Sequence, residues 1–486
     1  MPEIFIVVGG GIAGVSCMLE LIESAEQNDE IEFIFVCGKS GFIKTVENYE
    51  KLGIYMEKFD VKNEVPSQEF FKSKKVCGLL VAFYKSQFSF QIFMEDVILW
   101  EPNRMAILLT NLQTIHYSRL CISTGAVPKT LAQHPMDSVI QIRDIDSIED
   151  LQSKLAKSRR VVIVGTGGIA MELAYELKNI EVYWASKSAY VGAPFFDATI
   201  GLALEERFNR GRVEGETKKE VKLNRYSIES DGQPAKTNKL NMGCSLGPNW
   251  LAKLEQPVKQ ERKRTLTIMR CVQVVNYNKY DPTGREGRNW NVYVEFENGQ
   301  VVGCDFVIEA LGVTPASVWK AWCPELNVAD DSSIEVNENM RTNIDGTYAC
   351  GDIATIKRKE TPRTWKQMRL WTQARITGLF AGRCMADPDL QLDSWFEMFS
   401  HVTTFAGQKI VLLGDFLAET NDVEHVFGEH TLTRIVIENN RIIGAILVGD
   451  TGLDEVFETL ILNSFNVSDL PRPIVNQQID LADYFD

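Results

Sequence analysis

Two glycine-rich segments of this 486-residue chain share one pattern, and each follows a short apolar run. The first, IFIVVGGGIAGVSC, begins at Ile4, and the second, VVIVGTGGIAMEL, begins at Val161. In a strand–turn–helix unit, the first glycine permits a tight turn, the second lets a pyrophosphate approach the backbone, and the third packs the helix on its strand. The phosphate then lies at a helix N-terminus, which favours an anion. Two such units predict two bound dinucleotides, and therefore electron transfer between them.

Each copy supplies a set of candidate cofactor-binding residues. The first set is Gly9, Gly11, Ile12, Ala13 and Gly14, and the second is Gly165, Gly167, Gly168, Ile169 and Ala170. A single copy is equally well an ordinary glycine-rich turn between a strand and a helix. Two copies with matching flanks favour the dinucleotide interpretation.

Three later segments each contain a short apolar strand that ends near a glycine: LCISTGAVPK from Leu120, VIEALGVTPA from Val307 and GTYACGDIAT from Gly346. The alternative for the first two is a pair of unrelated strand–turn units. In the third, an aspartate can accept hydrogen bonds from cofactor hydroxyls, and the glycine before it allows close approach. A following helix, predicted over 369–385, has an N-terminus suited to an electron-rich ring. These segments add the candidate binding residues Thr124, Gly125, Gly312, Gly351 and Asp352.

Charge and cysteine usage limit the class of protein. The chain has 51 basic and 66 acidic residues, a net charge of −15, which argues against direct nucleic-acid binding or attraction to an anionic membrane. No apolar run approaches the roughly 18–20 residues of a membrane-spanning helix. Because the first strand is predicted to begin by residue 4, we expect no signal or transit peptide. None of the ten cysteines lies within five positions of another, which predicts reduced thiols and no metal site.

The order GxGxxG, TGAxP, GxGxxA, ALGxTP and ACGD resembles the two-dinucleotide flavoproteins, the pyridine nucleotide-disulfide oxidoreductases, from residue 4 to about 385. The resemblance implies the cofactors FAD and NAD(P)H. It also implies an α/β fold with two Rossmann-like three-layer dinucleotide-binding domains and a smaller C-terminal α+β domain. The implied domains are an FAD-binding domain in two parts, 1–123 and 303–388, an NAD(P)-binding domain, 124–302, and a C-terminal domain, 389–486, with an acidic tail.

A polar, charged run at about 207–264 interrupts the implied NAD(P)-binding domain. Its composition is too hydrophilic for a core and predicts an exposed insertion. The insertion is either a solvated loop or a surface on which a partner docks.

Several departures from the family pattern bear on the reaction. A disulfide reductase of this family places a cysteine pair shortly after its second strand, but the segment 38–52 contains no cysteine. No histidine follows His430, so the family's C-terminal acid–base pair is also missing. Since a thiolate must attack a disulfide directly, we expect no disulfide reduction by the usual route. The predicted reaction is hydride transfer from NAD(P)H to FAD and onward to an unidentified acceptor.

The ends of two strands also depart from the pattern. EFIFVCG ends in Cys37 and Gly38, where an acidic residue would usually bind the adenosine ribose of FAD. EVYWASK ends in Ser186 and Lys187, and the lysine could meet a 2′-phosphate. NADH and NADPH therefore both stay open.

In related flavoproteins a lysine–glutamate pair lies beside the flavin. The resemblance places Glu172, seven positions after Gly165, where the family's glutamate lies, and Lys44 is the nearest candidate partner. The alternatives are a plain helix-surface carboxylate for Glu172 and a solvated side chain for Lys44.

A narrower resemblance within the family rests on RLWTQAR, HVTTFAGQKIVLLG and GAILVGDTGLDEVFETLILN, and extends to the last residue. It implies a flavoprotein of the nucleus and cytoplasm that associates with the tRNA ligase complex and protects its oxidation-sensitive site. A monomer is favoured over an oligomer. The competing hypothesis is a redox-sensing binding protein, which would be reduced once and stay reduced.

Overall fold

The computed structural model describes residues 2–25, 31–73, 89–142, 145–212, 263–284, 289–316, 318–391, 394–420 and 422–475. The predicted insertion at 207–264 lies outside the described residues except at its two ends, where residues 207–210 complete a helix. The predicted acidic tail also lies outside them.

The first part of the chain forms the following elements: β1 (Glu3–Val8), α1 (Ile12–Ser24), β2 (Ile31–Val36), β3 (Ile43–Lys51), β4 (Glu57–Glu64), α2 (Gln68–Ser73), β5 (Ser89–Phe93), β6 (Val97–Glu101), β7 (Ala106–Leu109), β8 (Thr114–His116), β9 (Arg119–Ile122) and β10 (Ala126–Pro128). The middle part forms β11 (Val139–Gln141), α3 (Ile145–Leu155), β12 (Arg160–Val164), α4 (Gly168–Glu176), β13 (Glu181–Ala185), α5 (Ala198–Arg210), β14 (Thr265–Met269), β15 (Val274–Asn278), β16 (Val292–Phe296), β17 (Val301–Cys304), β18 (Phe306–Glu309) and β19 (Val313–Pro315).

The remaining part forms α6 (Val318–Trp322), β20 (Ile334–Val336), β21 (Thr347–Ala349), β22 (Ala354–Ile356), α7 (Trp371–Ala386), β23 (Ser400–Phe405), β24 (Gln408–Gly414), β25 (Asp422–Phe427), β26 (Leu432–Glu438), β27 (Arg441–Val448) and α8 (Asp454–Leu462). Among the described residues, no helix combines the length and apolarity that crossing a bilayer requires.

The first sheet is parallel, with the order β21-β9-β1-β2-β5, so it joins strands from distant parts of the chain. Helices α1 and α7 pack on one face, and residues of the antiparallel strands β6 to β8 share the same core. The two helices approach closely because of two glycines. A Cβ on Gly378 would lie 2.2 Å from the Ala13 carbonyl oxygen, and one on Gly382 would lie 2.4 Å from that of Cys17.

The second sheet is also parallel, with the order β11-β18-β12-β13-β14. Side chains of α4 and α5 pack on one face, and the antiparallel strands β15 to β17 pack on the other. Strand β18 lies beyond residue 302, yet it pairs with β11 and β12 in this sheet. We therefore propose that the second part of the FAD-binding domain begins after Glu309 rather than at residue 303.

The third sheet is antiparallel, with the order β23-β24-β27-β26-β25. One face packs on α8, and the other shares a core with α4 and α5. Two parallel sheets, each between helices and an antiparallel layer, and a C-terminal α+β unit confirm the predicted fold class. The carboxyl ends of the two parallel sheets are where this class of fold binds ligands.

Candidate dinucleotide-binding cleft

A cleft of about 1340 Å³ lies between the carboxyl ends of the two parallel sheets. Its volume exceeds the roughly 300–1,000 Å³ of an ordinary small-molecule site, so it has room for two ligands. The residues proposed from the sequence that line it are Gly9, Gly11, Ile12, Ala13, Lys44, Thr124, Gly125, Gly165, Gly167, Gly168, Ile169, Lys187, Gly312 and Asp352. The structure thus brings both glycine motifs to one space.

Three helix N-termini meet at this cleft. Helices α1, α4 and α7 begin after Gly11, Gly167 and Leu370, which all line the cleft. None of the three has a side-chain cap or an acidic residue in its first turn. By contrast, the side chain of Asp197 caps α5, and α8 has two acidic residues in its first turn. The free N–H groups and helix dipoles therefore favour anionic or electron-rich groups in the cleft.

The glycine turns leave space for a phosphate. An added Cβ on Gly11 or Gly167 would meet no atom within 4 Å. Each backbone also has an ordinary extended conformation that any residue can adopt, so the glycine is needed for the space it leaves. Gly9 and Gly165, in contrast, have φ of +130° and +119°, and a Cβ on either would overlap the carbonyl oxygen of Ser123 or Ala310. The first glycine of each motif makes the turn, and the second leaves the helix N-terminus open. These features fit the pyrophosphates of two dinucleotides.

Three of the proposed residues lie beneath the cleft rather than on its surface. A Cβ on Gly14 would lie 2.0 Å from the Gly9 carbonyl oxygen, and one on Gly351, whose φ is +74°, would lie 2.6 Å from the Ala13 Cβ. Ala170 is completely buried. These three small residues let helices approach the glycine turns, and they shape the site without lining it.

The two proposed catalytic residues have different environments: Lys44 lines the cleft, and Glu172 is buried behind its surface. Lys44, on β3, lines the cleft, with its Nζ 3.5 Å from Asn63 Oδ1 and 5.7 Å from the centre of the Trp371 ring. Glu172, on α4, is 5% exposed and does not line the cleft. A paired role beside a flavin stays a prediction for both residues.

The end of β2 has no acidic residue of its own, but a carboxylate lies next to it. Asp96, which follows β5, accepts a hydrogen bond from the backbone N–H of Lys39 at 3.2 Å. A Cβ on Gly38 would lie 3.2 Å from the same oxygen, Asp96 Oδ1. Strand pairing between β2 and β5 therefore places a carboxylate beside the end of β2, although Asp96 does not line the cleft.

At the end of β13, the two candidate residues have different surroundings. Ser186 is completely buried, and its hydroxyl donates to the Ser188 carbonyl oxygen at 2.9 Å. Lys187 is exposed and lines the cleft. The lysine is thus the one of this pair that can meet a ligand.

Replacing Lys187 with glutamate is expected to shift the preference from NADPH towards NADH by roughly 10- to 100-fold, because hydrogen bonds to charged groups are worth about 1.5–3 kcal/mol. A carboxylate repels a 2′-phosphate and accepts from a 2′-hydroxyl. The measurement is the ratio of kcat/KM for the two nucleotides. Lys157→Glu, an equal charge change at an exposed position that does not line the cleft, is the control. An unchanged ratio would remove Lys187 from the site.

The described cysteines offer the cleft no reactive pair. Among them, Cys37 is the one that lines the cleft; its thiol donates to the Phe93 carbonyl oxygen at 3.4 Å, and burial raises its pKa. The sulfur atoms of Cys17, Cys121 and Cys350 lie within 4.8 Å of one another, but all three residues are completely buried. Burial also raises the pKa of Cys17 well above its ordinary value. Buried thiols of this kind pack as small apolar groups.

No single cysteine is expected to be required for reduction of the flavin by NAD(P)H. Serine at position 17, 121 or 350 is expected to lower the free energy of unfolding by about 1–3 kcal/mol, because it buries a hydroxyl among apolar groups. The rate of flavin bleaching in a stopped-flow experiment should match that of the wild type. A cysteine variant that folds and holds FAD, yet is not reduced, would reveal a thiol role.

Several residues that line the cleft were missed by the sequence reasoning. They are Asn63, Phe195, Glu309, Arg369 and Trp371. Trp371 could have been predicted from the sequence, because it is the first residue of the helix that follows the GTYACGDIAT segment. An aromatic residue in a helix is, however, more often part of a core. Arg369 opens the helix predicted over 369–385 and Glu309 lies in the VIEALGVTPA segment, whereas Asn63 and Phe195 are brought to the cleft by the tertiary structure alone.

Comparison with known proteins gives consistent matches. The model of the pyridine nucleotide-disulphide oxidoreductase family matches residues 4–245 and 252–378. The Rattus norvegicus protein named pyridine nucleotide-disulfide oxidoreductase domain-containing protein 1 is 35% identical over 518 residues, covering 99% of this chain and 98% of the relative.

Two solved structures are similar in fold. One is the ferredoxin reductase for the CYP199A2 system of Rhodopseudomonas palustris, with a TM-score of 0.67, 16% identity and 99% coverage of both chains. The other is the water-forming NADH oxidase of Lactobacillus brevis, with a TM-score of 0.62, 15% identity and coverage of 98% of this chain and 94% of that one. At these identities the two structures support the architecture alone.

Proposed function

Because this chain belongs to the pyridine nucleotide-disulphide oxidoreductase family, we propose that it is an FAD-dependent oxidoreductase that oxidises NAD(P)H without a redox-active disulfide of its own. The observation that carries the proposal is the convergence of three uncapped helix N-termini on one cleft with room for two ligands. Each N-terminus suits one feature of the cofactor pair: two pyrophosphates and one electron-rich ring.

The first glycine motif and its neighbours form the FAD side of the cleft. The open space at Gly11 and the N–H groups of α1 bind the pyrophosphate. Asp352, which lines the cleft next to α7, offers its carboxylate to cofactor hydroxyls. The N-terminus of α7 directs its dipole towards the ring.

The second glycine motif forms the NAD(P)H side. Gly167 and the N-terminus of α4 would hold the second pyrophosphate, and Lys187, which lines the cleft after β13, would meet a 2′-phosphate. Hydride transfer from a nicotinamide to a flavin is the chemistry that the bound cofactors supply, and it depends on stacking and positioning rather than on a protein nucleophile. The apolar side chains of Phe195, Leu370 and Trp371 line the cleft and would shield the bound rings from water.

The final acceptor is oxygen, a quinone-like molecule or a partner protein. The described residues that line the cleft provide no thiol pair that would make the acceptor a disulfide of this chain. The test is the steady-state oxidation of NADH and NADPH in air, with the bound flavin quantified and with a quinone added in a second series. We expect many turnovers per flavin with at least one acceptor.

Two results would overturn the proposal. A protein that contains no flavin after gentle purification, and that cannot be reconstituted with FAD, would refute cofactor binding. A flavin that is reduced once and then stays reduced with every acceptor would favour the redox-sensing binding protein.

We also propose, from the narrower sequence resemblance, that the chain acts in the nucleus and cytoplasm beside the tRNA ligase complex and protects it from oxidation. The experiment measures tRNA ligation in air with NADPH, with and without this protein. Loss of protection in a variant that binds FAD but not NAD(P)H would link protection to the redox reaction. Equal inactivation of the ligase with and without the wild-type chain would contradict the proposal.

A further inference from the structure

Glu309 is a buried carboxylate on the wall of the cleft, and the reaction described above gives it no role. It is the last residue of β18, is 3% exposed, and still lines the cleft. Burying a carboxylate is costly unless hydrogen bonds compensate the loss of water. Its partners therefore indicate what the residue does.

Three donors from separate parts of the fold meet at Glu309. Its Oε1 accepts from the Leu131 backbone N–H and from the Tyr277 hydroxyl, both at 2.8 Å, and its Oε2 accepts from Gln141 Nε2 at 2.7 Å. Burial and the nearby carboxylate raise the pKa of Tyr277, so its hydroxyl keeps the proton that it donates. These contacts hold the Glu309 side chain in one position.

The hydrogen-bonding capacity of the carboxylate is not exhausted. An ionised carboxylate has about four acceptor positions, and the donors among the described residues fill three of them. Glu309 also pairs with Val164 in the strand register, and Val164 is the residue immediately before the second glycine motif. A ligand in this part of the cleft can therefore donate one hydrogen bond to Glu309.

The position of β18 indicates which part of a dinucleotide lies there. In the second sheet, β18 is on one side of β12 and β13 is on the other. Lys187 follows β13, so the adenosine end lies on that side, and the nicotinamide end extends over β18. A carboxylate here repels phosphate and accepts from a hydroxyl or an amide.

We propose that Glu309 binds a hydrogen-bond donor of the nicotinamide nucleoside, either a ribose hydroxyl or the carboxamide N–H. The inference rests on the proposed function, because it assumes that NAD(P)H occupies this side of the cleft. It makes Glu309 a specificity-determining residue that fixes the nicotinamide end, while α4 fixes the pyrophosphate.

The experiment compares two unreactive probes by isothermal titration of the FAD-loaded protein. The probes are 1,4,5,6-tetrahydro-NAD, called tetrahydro-NADH below, which has both ends of the cofactor, and ADP, which lacks the whole nicotinamide nucleoside. In Glu309→Gln, the Gln141 amide can rotate and accept from the new amide, so the wall keeps its hydrogen bonds. We expect tetrahydro-NADH to bind roughly tenfold or more weakly and ADP to bind as it does to the wild type.

Two further variants separate contact from support. Asp150→Asn removes an exposed carboxylate that does not line the cleft, and it should leave both affinities unchanged. Tyr277→Phe removes a donor to Glu309 but keeps the carboxylate, so tetrahydro-NADH should bind within about threefold of the wild type. This variant still tests the inference if Glu309→Gln does not fold, since a wall-supporting role predicts that both probes weaken together.

Equal weakening of both probes in Glu309→Gln, or no weakening of either, would overturn the inference. The same holds if Asp150→Asn reproduces the loss, because the effect would then be one of charge at long range. Wild-type protein that binds neither probe would instead refute the NAD(P)H site of the proposed function.

Discussion

Replacing Gly11 with tryptophan is expected to give a folded but colourless protein. The flavin content should fall from about one FAD per chain to near zero, because the indole would fill the space that the pyrophosphate needs at the N-terminus of α1. The backbone at Gly11 is extended, with φ of −71°, and no atom lies within 4 Å of an added Cβ. The side chain can therefore enter the cleft without disturbing the fold. Absorbance of the purified protein, with thermal unfolding as a check of folding, measures the effect.

The same variant should keep the other site. Because the second glycine motif is on a separate sheet, Gly11→Trp is expected to bind ADP-ribose with wild-type affinity. Retention of a full complement of FAD would show that the flavin pyrophosphate does not lie at α1. Loss of both ligands from a folded protein would mean that the two motifs form one site.

Replacing Gly167 with tryptophan should have the opposite effect on the two cofactors: FAD stays bound, and NAD(P)H binding is lost. This glycine also has an extended backbone, with φ of −75°, and empty space around an added Cβ. The indole would block the N-terminus of α4, so the protein should stay yellow while NADH and NADPH no longer reduce its flavin. We expect the observed reduction rate at a fixed nucleotide concentration to fall by at least about a hundredfold.

Stopped-flow bleaching under anaerobic conditions measures this loss, and photoreduction of the same sample shows that the flavin itself stays reducible. Each tryptophan variant serves as the control for the other, since the two positions share backbone geometry and surroundings. A Gly167→Trp protein that is reduced at the wild-type rate would contradict the assignment of the second motif to NAD(P)H.

The glycine motifs were predictable because their physical requirements are local. A tight turn, an open helix N-terminus and a close helix contact need particular small residues at fixed spacing, and the structure has all three at Gly9, Gly11 and Gly14. The fold class, which the family resemblance implied, is confirmed.

Features that depend on distant pairing could not be predicted in the same way. Strand β18 is a short apolar strand with no local mark of its sheet, and its pairing with β12 is decided by packing. The environment of Glu309 combines donors from Leu131, Gln141 and Tyr277, which no spacing in the sequence connects. Similarly, β2 has no acidic residue at its end, and the carboxylate beside it belongs to Asp96, which follows the neighbouring strand β5.

The first sheet joins strands from distant parts of the chain, and this sets the order in which the two parallel sheets can be completed during synthesis on the ribosome. Every strand of the second sheet has been synthesised once residue 309 has left the ribosome, so this unit can fold while synthesis continues. The first sheet must wait for β21, and the close contact of α1 with Gly378 and Gly382 must wait for α7. The N-terminal glycine motif, although translated first, therefore belongs to the parallel sheet whose strands are completed later.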